Sequence, residues 1–116
     1  MNETDKRSLR AAVEIERDRV ADQIANLQQS FNRIVDAAEL TSTDDEHDPE
    51  GTTIAYERAQ VAALLSQARD DLVALDAALD RIENGTAQTC EACGAPIPLE
   101  RLVALPGVVT CVGCAS

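Results

Sequence analysis

Residues 61–82, VAALLSQARDDLVALDAALDRI, decide how the chain is organised. Apolar side chains fall at Val61, Leu65, Ala68, Leu72, Leu75, Leu79 and Ile82, in steps that alternate four and three. That spacing keeps one stripe of an α-helix facing one partner helix, the seam of a coiled coil. Traced backward, the seam passes Arg58 and reaches Ile54, and a helix is predicted over residues 52–84, stopped by Asn84-Gly85. Asp48-Pro49 has the form of an N-cap followed by proline at the first helical position, while Gly51 weakens that turn.

A second seam precedes it. Leu9, Val13, Val20, Ile24, Leu27, Phe31, Ile34 and Ala38 predict a helix from residue 5 to about 40, with a polar gap at Glu16 and Arg17 and a start at Thr4-Asp5. The two seams match in antiparallel when paired positions add to 92: Ala38 with Ile54, Phe31 with Val61, Leu27 with Leu65, Ile24 with Ala68, Val20 with Leu72, Val13 with Leu79. Leu9 then falls beside Ile82. Arg17 lies opposite Leu75 and Arg58 opposite Ile34, where long stems run along a seam. The fold-back is centred on residue 46 in a short break, which favours a hairpin within one chain over an intermolecular bundle. Each arm would be on the order of 50 Å long at the helical rise.

Composition agrees with helices. Of 116 residues 45% are hydrophobic but only 2% aromatic, so Leu, Ile, Val and Ala must fill the interior. Phe31 and Tyr56 are predicted as core and tip-proximal packing residues. Twenty-one acids against ten Lys+Arg give a net charge of −11. So acidic a chain does not coat nucleic acid or an anionic membrane. No apolar run approaches a membrane span and no leader of signal-peptide form is present, so a cytoplasmic location is expected. The acid excess is densest at 41–51, which carries Asp44, Asp45, Glu46, Asp48 and Glu50 and no Lys or Arg.

Residues 85–116 hold all four cysteines, as Cys90-Glu-Ala-Cys93 and Cys111-Val-Gly-Cys114. Each C-x-x-C knuckle brings two thiolates to one ion, and two knuckles complete a tetrahedral shell. The expected cofactor is one structural Zn2+, with no coordination position left for catalysis. A pair of disulfides, in any of three connectivities, and a redox switch that ejects metal are the rival readings. His47 is the only histidine and is read as a solvated tip residue rather than a ligand. Arg101 either touches a partner or covers the helix expected over Pro98–Leu105. With one base and no aromatic residue, the segment lacks what sequence-specific DNA binding needs.

The stretch Arg81-Ile82-Glu83-Asn84-Gly85-Thr86, then Cys90-Glu91-Ala92-Cys93-Gly94, Ile97, Arg101-Leu102-Val103-Ala104-Leu105-Pro106 and Cys111-Val112-Gly113-Cys114 resembles the DksA/TraR C4-type zinc-finger family. The resemblance implies a bacterial, non-enzymatic transcription regulator. Members bind RNA polymerase core directly and insert a coiled-coil hairpin into its secondary channel. Acidic tip residues then sit near the catalytic Mg2+, where hard cations take oxygen ligands. Longer members carry a tip similar to D-x-x-D-x-A. Asp45 and Asp48 occupy its aspartates, Glu50 stands where Ala is expected, and Asp44, Glu46 and Glu50 add charge. The segments that help form sites for the alarmone ppGpp have no counterpart here, so the resemblance gives ppGpp no support.

The predicted fold is therefore all-α: an antiparallel two-helix coiled-coil hairpin over residues 1–84 with an acidic tip at 41–51, followed by a small four-cysteine zinc finger over 85–116. An adaptor module with a structural finger and a transcript-cleavage factor holding a second metal are the alternatives.

Overall fold

The computed structural model describes residues 1–40 and 49–115, with Leu40, Pro49 and Glu50 described in backbone only. Helix α1 spans Glu3–Leu40, α2 spans Pro49–Asn84, and the short α3 spans Leu99–Ala104, followed by a 3-10 turn at Val112–Cys114. No strand occurs among the described residues; Thr89 and Pro96 form one isolated antiparallel bridge.

The helix starts differ from the sequence reading. Asn2, not Thr4, caps α1: its Oδ1 accepts the Asp5 backbone N–H at 2.7 Å, and Lys6 N–H bonds Asn2 O. Helix α2 begins at Pro49 rather than at residue 52, so proline does occupy the first helical position and Gly51 is accommodated in the first turn.

The chain divides into two compact units. The first joins Met1–Val20 to Asp71–Ser116. Its core takes Leu9, Val13 and Val20 from α1, Leu75 and Ile82 from α2, and Ala87, Cys90, Ile97 and Leu102 from the C-terminal segment, each at most 5% exposed. The helices run antiparallel there: Arg10 pairs with Glu83, and Arg17 with Asp76. Both pairs add to 93, one step from the seam's 92, as expected for side chains that flank the seam. Leu75 is buried while the Arg17 head bonds Asp76 beside it. Both ion pairs are substantially solvated, and such pairs contribute little, about 1 kcal/mol or less.

The second unit is Ala21–Asp70. Leu65 and Ala68 are buried, and Ile24, Leu27, Phe31, Ile34, Ala38, Ile54 and Val61 are half-buried. Arg69 Nη2 donates to Gln28 Oε1 at 2.9 Å across the two helices. Tyr56 corrects an expectation, being 70% exposed. It sits two residues past the seam position Ile54, which turns it to the opposite side of the helix.

Candidate metal centre

The C-terminal segment begins where α2 stops. Gly85, at φ +77°, turns the chain out of the helix, with Thr86 N–H bonded to Arg81 O at 2.9 Å and Gly85 N–H to Ile82 O at 3.2 Å. This double bond pattern is the glycine stop the sequence announced. Residues 88–97 then form a tight loop. Ile97 N–H bonds Gln88 O, Cys90 N–H bonds Ala95 O, and Gly94 N–H returns to Cys90 O, at 2.7, 2.9 and 2.9 Å. Gly94, at φ +77°, makes the reversal that places Cys93 beside Cys90.

The second knuckle is built otherwise. Cys111 precedes the 3-10 turn, and Cys114 and Ala115 N–H both bond Cys111 O at 3.1 Å. Glu91 N–H bonds Val109 O at 2.9 Å and ties one knuckle to the other. Helix α3 lies between them, one residue shorter at each end than expected, and buries Leu102.

These turns bring the Sγ atoms of Cys90, Cys93, Cys111 and Cys114 within 4.8 Å of one another, with Cys93 and Cys111 Sγ 3.6 Å apart. Four sulfurs held at about 2.3 Å from one ion in a tetrahedron lie about 3.8 Å apart. The cluster therefore fits a tetrathiolate site, and all four cysteines are free of disulfides. Cys90 is buried and Cys93 exposed.

The thiols compete for charge. Backbone N–H groups, first that of Cys111 and then those of Cys93 and Ala92, draw the Cys90 pKa down to about 6 against a desolvation penalty. The neighbouring sulfurs, Cys93 foremost, push Cys114 up to about 12. Cys93 also lies above its ordinary value: its Cys111 and Cys90 neighbours outweigh the Ala95 backbone donor and the Cys114 contact. A dication resolves this conflict by favouring the thiolate at every position.

Two arginines grip the segment. Arg81 Nη2 donates to Thr89 O at 2.7 Å and Thr86 O at 3.1 Å, and Nη1 to Glu91 Oε1 at 2.6 Å. Arg101 Nε donates to Thr110 O at 3.0 Å, a bond within the fold that reaches past the short helix. In the sequence Arg81 is visible only as part of the family stretch and as a cation in the last helical turn.

Of the predicted tip residues, Asp44, Asp45, Glu46 and Asp48, together with His47, lie outside the described residues. Glu50 belongs to the first turn of α2, with its side chain outside that description. Among the described residues no helix is long and apolar enough to cross a membrane.

Fold and site together define a helical hairpin that carries a four-cysteine zinc finger. Residues 85–116 match the family model of the prokaryotic dksA/traR C4-type zinc finger. The fold is that of transcription factor DksA2 from Pseudomonas aeruginosa, whose structure superposes with a TM-score of 0.81 over 97% of this chain and 81% of that one, at 20% identity. The chain is 42% identical over 66 residues to YteA of Bacillus subtilis (strain 168), covering 57% of this chain and 28% of that protein. It is 44% identical over 52 residues to YlyA of the same organism, covering 45% and 42%. The chain thus spans less than half the length of these curated relatives. Family and thiol cluster make the finger a site for one structural zinc ion.

Proposed function

We propose that this chain is a non-enzymatic cytoplasmic transcription regulator that binds RNA polymerase core directly, presenting its acidic segment to the secondary channel near the catalytic Mg2+. The observation that carries this reading is where the acids fall. In the sequence Asp44, Asp45, Glu46 and Asp48 fall between the end of α1 and the start of α2 and Glu50 follows in the first turn of α2, with no Lys or Arg among them, in a chain whose fold is shared with a transcription factor. A run of carboxylates suits a hard-cation site because Mg2+ takes oxygen ligands. Asp45 and Asp48 are assigned the effect, and the other three the supporting charge. Cys90, Cys93, Cys111 and Cys114 hold the zinc, whose chemistry is to cross-link the two knuckles. With Arg101 as the one base in 85–116, the finger carries too little positive charge to neutralise phosphates.

The test is the double variant Asp45→Asn, Asp48→Asn. Neither residue lies on a seam, so the fold is retained apart from about 1 kcal/mol or less at the α2 cap. The variant binds purified core polymerase within a few-fold of wild type but loses most of the effect on open-complex lifetime. It then competes with wild type for the channel. A double variant that regulates as well as wild type removes the role of these carboxylates. Absence of any binding by the wild-type chain moves the assignment to an adaptor.

A further inference from the structure

We infer that Arg81 and Arg101 act as a matched pair of positioning residues for the zinc site, each gripping the peptide carbonyl immediately before the first cysteine of one knuckle. Thr89 precedes Cys90, and its carbonyl accepts from Arg81 Nη2 at 2.7 Å. Thr110 precedes Cys111, and its carbonyl accepts from Arg101 Nε at 3.0 Å. The two knuckles have different backbones, a glycine-turned loop in one case and a 3-10 turn in the other. The repeated anchor is therefore not a by-product of a repeated local fold.

Fixing that carbonyl orients the peptide joining it to the cysteine, and with it the direction in which the cysteine leaves the backbone. Arg81 does more on its side, because the same guanidinium also holds Thr86 O and Glu91 Oε1 and so spans Cys90 on both flanks. Its side chain is only 14% exposed, so the fork is held among fixed partners rather than free in water. Charge adds to geometry. A zinc ion with four thiolates is doubly negative, and Arg101 is the single Lys or Arg within residues 85–116. The last turn of α2 supplies the second cation through Arg81. Groups that orient metal ligands without touching the metal commonly set its affinity by about 10–100-fold.

Zinc affinity of the full chain, measured by competition with a chromophoric chelator, tests this. Arg81→Met and Arg101→Met keep an apolar stem and remove the guanidinium. Each is expected to raise the zinc dissociation constant by about 10–100-fold, and the double variant further. Glu91→Gln is expected to change it far less, since the Glu91 side chain is 61% exposed and its pairing is screened. Arg81→Lys keeps charge and stem but loses the fork, and should fall between wild type and Arg81→Met. Thermal unfolding of the chelator-stripped chain should change far less than that of the loaded chain on either Met substitution, because Thr89 O and Thr110 O belong to the metal-binding segment. Met variants that bind zinc within about two-fold of wild type overturn the inference. So does an equal loss of thermal stability in loaded and stripped protein with zinc affinity unchanged. Should Arg81→Met fail to fold with zinc present, wild-type affinity in both Arg81→Lys and Arg101→Met overturns it as well.

Discussion

Replacing Ile82 by alanine probes the core of the unit that carries the finger. Ile82 is 1% exposed and lines a small, half-open crevice together with Leu9, Val13, Ala87 and Leu102. The substitution removes three carbons from a fully buried site. At about 0.8 kcal/mol per buried carbon the transfer loss alone is about 2.4 kcal/mol. The surrounding side chains are anchored on two long helices and on the finger, so collapse around the hole is limited. A cavity contribution raises the total toward about 4 kcal/mol, within the span seen for such truncations. Metal binding to a segment that folds with its metal is also folding free energy, so part of this loss must appear as weaker zinc binding. Two measurements follow it: far-UV circular dichroism melting of the zinc-loaded chain, and chelator competition for zinc. Val73→Ala is the control, since Val73 is 69% exposed and its truncation should stay within about 0.5 kcal/mol. An Ile82→Ala variant that loses under about 1 kcal/mol refutes the packing argument. One that melts earlier yet binds zinc as wild type refutes the claim that helices and finger share one core.

Zinc uptake at pH 7 is expected to release at least two protons per ion. Cys93 lies above its ordinary value and Cys114 is pushed to about 12, so both carry protons when metal-free, whereas Cys90, at about 6, is already mostly ionised. The sign follows: affinity falls as pH is lowered, and a pH-indicator titration that finds fewer than two protons contradicts the assignment. Gly94→Ala should cost about 1–2 kcal/mol from backbone strain alone, because its φ is +77° while no atom lies within 4 Å of the added carbon. Chemical denaturation of the zinc-loaded variant reads this directly. Asp76→Asn, which breaks the solvated pair with Arg17, should shift the same curve by no more than about 1 kcal/mol.

The parts of this molecule that were legible in its sequence are those fixed by period or by covalent chemistry. A repeat of 3.5 residues sustained from Val61 to Ile82 admits one secondary structure, and two such seams admit few registers. Two knuckles of two cysteines admit few chemistries. What escaped was a choice between equivalent local options or a matter of tertiary placement. Asn2 and Thr4 are both competent caps, and only the bond from Asp5 N–H to Asn2 Oδ1 chooses between them. Tyr56 is apolar enough to suggest packing, yet the phase of its helix turns it outward. Arg81 reads locally as a last-turn cation; its partners Thr86, Thr89 and Glu91 become neighbours only after Gly85 turns the chain back. The acids at 44–48 were visible as charge, but charge alone carries no geometry.

The same contrast explains why this finger is joined to these helices. Between its knuckles the segment contributes few fully buried apolar side chains, chiefly Ile97 at 0% and Leu102 at 5% exposure, with Ala87 just ahead. So few residues cannot offset the conformational entropy of ordering about thirty. Two outside sources make up the difference. The metal cross-links Cys90 and Cys93 to Cys111 and Cys114, and Leu9, Val13 and Ile82 supply an apolar floor. Each source depends on the other. Without the floor the knuckles should present their thiols with less order, and without the metal Ala87 and Leu102 are held over Ile82 by their burial alone. A finger excised at residue 85 should therefore bind zinc more weakly than the full chain. The lost floor, the lost Schellman stop and the lost Arg81 grip act in the same direction.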